Sequence, residues 1–192
     1  MIPENFVGLD YSMHKLFVSS DGEIPEYPRF YRCSEKKLAR MQRRFSRKVE
    51  DSHNREKLRK RLSKIHTKTA NRRKDFLHKQ SYNLVMKYDC ISVEDLNMLA
   101  MGRALKFGKS VYDNGWGMFC RMLEYKSEWH GKIFVVIGKF EPTSQRCHCC
   151  GYKNSAVKNL SVRQWKCEQC GAIHDRDINA AINIREAGRK LI

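Results

Sequence analysis

Short apolar runs of strand character open the chain and then give way to long stretches with helical spacing. Phe6-Val7-Gly8-Leu9-Asp10 and Lys15-Leu16-Phe17-Val18-Ser19 read as two strands. Asp21-Gly22 is a hairpin signal leading towards Arg29-Phe30-Tyr31-Arg32, so three antiparallel strands are expected. From Ser34, a candidate N-cap, Leu38, Met41, Phe45 and Val49 recur at helical intervals, which predicts a first helix to about Val49. Asp51-Ser52-His53-Asn54 interrupts the pattern. Leu58, Leu62, Ile65, Thr69, Phe76 and Leu84 then predict a long second helix. Cys90-Ile91-Ser92-Val93 reads as a buried strand ending at Glu94-Asp95-Leu96. Tyr112 to Trp129 keeps helical spacing through Trp116, Phe119, Leu123 and Tyr125, and Ile133-Phe134-Val135-Val136-Ile137 has strand length and character. Ile178, Ala181, Ile182 and Arg185 mark a terminal helix. Strands and helices in this order predict an α/β core.

At 192 residues, 41% of them hydrophobic, the chain suffices for one core and a small appendage. No apolar run approaches the ~20 residues of a membrane-spanning helix, so no membrane association is expected. The first residues lack the basic lead and apolar stretch of a secretory signal, and a reducing, cytoplasmic location is expected. The formal net charge of +17 changes the picture more, because so much positive charge calls for a polyanionic partner. The charge gathers on the two long helices, a hairpin over about 34–88. The alternative, a solvated face, would carry opposite charges four residues apart, and these are largely missing. Arg40, Arg43, Arg44, Arg47, Arg59, Lys60, Arg72 and Arg73 are therefore expected to contact the phosphates of a nucleic acid.

Cys147-x-x-Cys150 and Cys167-x-x-Cys170 have the spacing of a zinc ribbon, in which two tight turns present four thiolates to one Zn2+ ion. Of the eight cysteines, Cys33, Cys90, Cys120 and Cys149 remain, and a reducing location makes them small buried hydrophobes rather than disulfides. Cys149, inside the first turn, is expected to point away from the metal. His148 and His174 are expected at the surface or around the ligands, because four thiolates close a structural site. Trp116, Trp129 and Trp165 could stack on bases, but core packing is the expected role.

Three acids stand at strand ends or a helix start: Asp10 after the first strand, Glu94 after Val93, and Asp177 at the last helix. Strand ends are where clefts form in α/β sheets, and clustered carboxylates are usually held together by divalent cations. A two-ion site of this kind would suit phosphodiester hydrolysis. Taken singly, each acid reads as a cap or a surface residue rather than a metal ligand.

Val7-Gly8-Leu9-Asp10, Ile91-Ser92-Val93-Glu94-Asp95-Leu96-Asn97, Leu123-Glu124-Tyr125-Lys126, Pro142-Thr143-Ser144-Gln145-Arg146-Cys147, Cys150-Gly151 and Asp175-Arg176-Asp177-Ile178-Asn179-Ala180-Ala181-Ile182-Asn183-Ile184 stand in the order and spacing of one known family. Over nearly its whole length the chain resembles the C-terminal half of the TnpB (OrfB-type) proteins of bacterial insertion sequences, which are similar to type V CRISPR effector nucleases. The resemblance implies an RNase H-like (RuvC-like) mixed sheet over 1–140, a zinc ribbon at 141–175, and a last core helix at 176–192. It implies a metal-dependent DNA endonuclease, RNA-guided in complete members, with Asp10, Glu94 and Asp177 as catalytic ligands of Mg2+ or Mn2+. Its zinc ligands fall on Cys147, Cys150, Cys167 and Cys170, and its partners are DNA and, in the complete protein, a guide RNA. Asp175 is the alternative acid in the last motif. Ser12 departs from the family's usual Gly two residues after the first Asp. Complete members also carry an N-terminal half ahead of the first catalytic strand. The alternative function is a truncated, non-catalytic nucleic-acid-binding fragment or regulator.

Overall fold

The computed structural model describes residues 2–104, 108–138 and 141–192. The expected core boundary at residue 140 lies outside them. Two strands, β1 (Phe6–Ser12) and β2 (Leu16–Ser19), pair antiparallel, with Leu9 opposite Ser19 and Ser12 opposite Leu16. Helix α1 (Phe30–Ser46) and helix α2 (His53–Lys87) form an antiparallel hairpin, followed by β3 (Cys90–Glu94). Three helices follow, α3 (Met98–Ala104), α4 (Gly108–Asn114) and α5 (Trp116–Trp129), then β4 (Ile133–Ile137). Strands β5 (Gln164–Lys166) and β6 (Ile173–Asp175) make a small hairpin of their own, and α6 (Arg176–Arg189) runs on from β6. The main sheet has the order β2-β1-β3-β4, with β1, β3 and β4 mutually parallel.

Side chains alternate across a strand, so the sheet sorts its residues onto two faces. Val7, Leu9, Ile91 and Val93 face α2 and α5, where Leu77, Leu84, Val85, Phe119 and Leu123 complete the larger core. The opposite face carries Phe6, Cys90, Val135 and Ile137 against Ile184 and Ala187 of α6. This second face also carries Gly8 and Ser92, and it requires smallness there. A Cβ on Gly8 would lie 2.0 Å from the Ala181 carbonyl oxygen, and one on Gly188 would lie 1.9 Å from Ser92 Oγ. Helix α6 thus sits directly on β1 and β3. Asp10 and Glu94 continue the alternation onto the same face.

Four expectations are corrected. Residues 29–32 form no third strand; α1 begins at Phe30, four residues before Ser34. Its start is fixed from outside the local sequence. Buried Asp113 accepts the Tyr31 N–H at 2.9 Å, Phe30 joins Tyr27 and Phe76 in an edge-on aromatic cluster, and the Ser34 hydroxyl instead meets Thr69 Oγ1 at 3.0 Å. The helix expected over Tyr112–Trp129 is two helices, because Gly115 between them adopts φ +73°, a left-handed conformation suited to glycine. Trp116 and Trp165 are buried as expected, whereas Trp129 is 76% exposed. Cys90 is buried, but Cys33 and Cys149 are exposed, so the reading of the spare cysteines as buried hydrophobes fails for those two. Among the described residues no helix is long and apolar enough to cross a membrane.

Candidate metal centre and carboxylate cluster

The two Cys-x-x-Cys turns are near-copies of each other. Cys147 N–H donates to Tyr152 O while Gly151 N–H returns to Cys147 O; Cys167 N–H donates to Ala172 O while Gly171 N–H returns to Cys167 O. Each turn closes with a glycine in the left-handed region, Gly151 at φ +81° and Gly171 at φ +75°. The ligating atoms of Cys147, Cys150, Cys167 and Cys170 all lie within 4.8 Å of one another. Cys147 Sγ is 3.6 Å from Cys170 Sγ, and Cys150 Sγ is 3.6 Å from Cys167 Sγ. A tetrahedron with Zn–S bonds of ~2.3 Å has edges of about 3.8 Å, so the quartet fits Zn2+. Burial opposes ionisation of Cys167, but the N–H groups of Cys170 and Gln169 outweigh it and bring the thiol down to about 7. A thiolate is what a zinc ion requires.

Around the quartet, Val157 and Trp165 form a small core with Tyr152 and Val162. His174 is buried in it, with Nε2 3.1 Å from Cys147 Sγ and its ring against those of Trp165 and His148. It thus stands around the ligands. Cys149 also comes within ligand range of Cys147 and His174.

The module is fastened to α6 by two asparagines one turn apart, which the sequence reading left unassigned. Asn179 Nδ2 donates to Arg146 O at 2.8 Å, and its Oδ1 accepts from the His148 backbone N–H at 3.1 Å. Asn183 Nδ2 donates to Thr143 O at 2.8 Å and to Arg146 O at 2.6 Å. The signal for them was available: two amides at i,i+4 on one helix face are positioned to act as a pair.

The three expected acids lie at the same end of the sheet, where α6 begins. Asp10 is half-buried at the end of β1, Glu94 closes β3, and Asp177 lies in the first turn of α6. Burial, then the charges of Glu94 and Asp177, push the Asp10 carboxyl well above the ordinary range, against a smaller opposing pull from Arg176. Burial also raises Glu94, while a hydrogen bond from the Thr143 hydroxyl to Oε1 works the other way. Arg163 pairs with Asp177 at 3.3 Å. Asp175 is occupied differently: its Oδ1 caps α6 by accepting from the N–H groups of Asp177 and Ile178 at 3.0 and 3.1 Å. Among the described residues these acids do not close to the mutual 4.8 Å of the thiol quartet. A cleft of about 620 Å³ opens alongside, lined by Thr143, Arg146, His148, Asn183 and Lys190 but by none of the three acids.

On the hairpin, Arg40, Arg43, Arg44 and Arg47 are exposed along α1. Arg59 and Lys60 are exposed on α2 but share Glu56, with contacts of 2.6 and 3.8 Å, and exposed Arg72 lies over the Phe30 ring. Arg73 departs from its expected place on a phosphate-binding face. Its guanidinium is 2.9 Å from Asp113, which is only 4% exposed, so it neutralises a buried carboxylate between α2 and α4.

A four-stranded mixed sheet with carboxylates at one end, and a four-cysteine module docked on its last helix, define a mixed α/β protein whose cysteine quartet is compatible with structural zinc. The comparisons then fix the family. A profile described as "Probable transposase" (OrfB_IS605) matches residues 2–105, and one described as "Cas12f1-like, TNB domain" matches residues 116–184. The chain belongs to the OrfB/IS605 family of TnpB-type proteins. It is 40% identical over 182 residues to a Streptomyces pristinaespiralis protein named "Putative RNA-guided DNA endonuclease", covering 95% of this chain and 45% of the relative. It is 34% identical over 204 residues to Escherichia coli InsQ, which carries the same name, covering 98% of this chain and 50% of the relative. The chain thus spans about half the length of the curated relatives it matches. A Cas12f1 protein solved by cryo-EM in complex with sgRNA and target DNA shares the fold, with a TM-score of 0.62 at 18% identity over 96% of this chain and 51% of that one.

Proposed function

We propose that this chain is the nuclease part of an RNA-guided DNA endonuclease, with an RNase H-like (RuvC-like) core over 1–140, a zinc ribbon over 141–175 and a closing helix over 176–192. The observation that carries the reading is the placement of Asp10, Glu94 and Asp177, from β1, β3 and α6, at one end of the sheet, near enough that the charges of the other two raise the Asp10 carboxyl, in a chain of this family.

Hard carboxylate oxygens suit Mg2+ or Mn2+, and the mutual repulsion that raises Asp10 is what a cation would relieve. Bound there, divalent ions would supply activation of the attacking water and stabilisation of the leaving oxygen. Asp10 and Glu94 hold their positions on rigid adjacent strands, and Asp177 is fixed by the first turn of a helix whose cap belongs to Asp175. Thr143 sets one oxygen of Glu94. The zinc ribbon, closed by Cys147, Cys150, Cys167 and Cys170, forms a wall beside the acids, and exposed arginines of the hairpin hold the phosphates of DNA or of a guide RNA. Such a protein acts where DNA is, in the prokaryotic cytoplasm and nucleoid.

The test is cleavage of labelled single-stranded DNA by the purified chain in Mg2+ or Mn2+, beside Asp10→Ala. Cleavage by the parent that falls at least ~100-fold in the variant is expected from loss of a metal ligand. Equal cleavage by both would refute the assignment of the acids. DNA binding without cleavage by either would favour a portion that needs the remaining length of its relatives.

A further inference from the structure

The four-cysteine module reaches two of the three acids. Arg163, just ahead of β5, pairs with Asp177, and Thr143, at the module's entrance, touches Glu94. The Thr143 contact is the more constrained. The residue is buried, and each of its polar groups is spoken for: its N–H donates to Glu141 O at 2.8 Å, its carbonyl accepts from Asn183 Nδ2 at 2.8 Å, and its hydroxyl donates to Glu94 Oε1. A hydroxyl so held has little freedom of its own. It fixes the carboxylate rotamer and occupies Oε1, leaving Oε2 without a protein partner among the described residues.

The scaffold behind Thr143 is the same helix that carries the third acid. Asn183 lies on α6, which presents Asp177 in its first turn and is seated on β1 and β3 through Gly8 and Gly188. Thr143 is therefore referenced to the frame that positions Asp10 and Asp177. We infer that Thr143 is a positioning residue for Glu94, through which the docking of the cysteine module on α6 sets the divalent-metal affinity of the carboxylate cluster. This rests on the reading of Asp10, Glu94 and Asp177 as metal ligands. Partners that orient a ligand typically govern metal affinity by 10–100-fold.

The experiment is a titration of the purified, zinc-containing chain with Mn2+ alone, following free Mn2+ by electron paramagnetic resonance, with zinc content and circular dichroism recorded for every variant. Thr143→Val, which keeps the shape and removes the hydroxyl, is expected to weaken Mn2+ binding by about tenfold or more with zinc retained. Thr143→Ser, which keeps the hydroxyl, is expected to restore affinity to within about threefold of the parent, a rescue that a purely packing role would not produce. Asn183→Ala releases the Thr143 carbonyl without touching the acids and is expected to weaken Mn2+ in the same direction. It carries the test if Thr143→Val fails to fold. Glu94→Ala separates the two levels of the argument. If it loses Mn2+ while Thr143→Val and Asn183→Ala bind as the parent does, the acids stand and the role of Thr143 is overturned. If Glu94→Ala itself binds Mn2+ like the parent, the assignment of the acids falls and the inference falls with it.

Discussion

Asp10 illustrates how a single residue can be costly to the fold and necessary to the site. Its carboxyl is raised by burial and by Glu94 and Asp177, so the folded chain holds that proton to higher pH than the unfolded chain does. Stability therefore falls as pH rises from the ordinary Asp value near ~4 through the raised folded value. Asp10→Asn removes the charge at nearly constant shape. Without added Mg2+ or Mn2+ it is expected to melt higher than the parent at pH 7, by about 2–4 °C for each kcal/mol relieved. The difference should shrink as pH falls and vanish well below about pH 4, where both states are protonated. Scanning calorimetry across that range checks it; an unchanged or lowered melting temperature at pH 7 would mean that the carboxylate is not under repulsion. The sequence marked Asp10 by its place at a strand end. It could not mark Arg73 as a core residue, because the partner that withdraws it from the surface, Asp113, is far along the chain and sits among ordinary polar neighbours.

At the scale of elements, α6 is the piece on which the site depends most. Its contact with β1 is close enough that Gly8 cannot gain a methyl group without backbone movement, since the clash is with the Ala181 carbonyl and Arg185 N rather than with a flexible side chain. Gly8→Ala is expected to destabilise the chain by roughly 3 kcal/mol or more and to lower Mn2+ affinity by moving α6 away from Asp10. Urea unfolding and the Mn2+ titration together check this. Elements whose pattern is local were legible: both strands of the first hairpin, the long α2, β3, β4 and the paired cysteines. The elements misread were those fixed by distant partners. Residues 29–32 have strand-like composition, yet the Asp113 carboxylate and the aromatic cluster of Tyr27, Phe30 and Phe76 draw them into α1. The break at Gly115 was visible only as a glycine, and helical spacing alone does not show that it takes a left-handed φ of +73°. For the candidate site, the types and spacing of the acids and thiols were legible, whereas Thr143, Asn179 and Asn183 acquire meaning only when the module is seen lying on the helix.

The whole molecule joins a compact α/β core to a strongly basic helical hairpin. Helix α2 alone has 35 residues, a length of about 52 Å, so its far end projects well beyond the sheet. Exposed Arg40, Arg43, Arg44 and Arg47 on α1 give that projection its charge. If they contact phosphates, each releases condensed counterions on binding, and the logarithm of affinity should fall linearly with the logarithm of salt concentration. Replacing the four by Gln is expected to flatten that slope by about 3–4 on duplex DNA. Fluorescence anisotropy across a salt series measures it, and an unchanged slope would remove the hairpin from the interface.

The seating of α6 against β1 also bears on how the protein comes into being. The first strand of the sheet and the helix that completes the carboxylate cluster are separated by nearly the whole described chain, so their contact closes one of the largest loops available to the polypeptide. Such long-range closures come late in folding and are slow, because the entropy of the intervening chain is surrendered before the contact repays it. A partly folded chain can therefore present its basic helices and its cysteine turns before Asp10, Glu94 and Asp177 stand at one end of the sheet. On the nuclease reading proposed above, hydrolytic competence would arrive only with that closure.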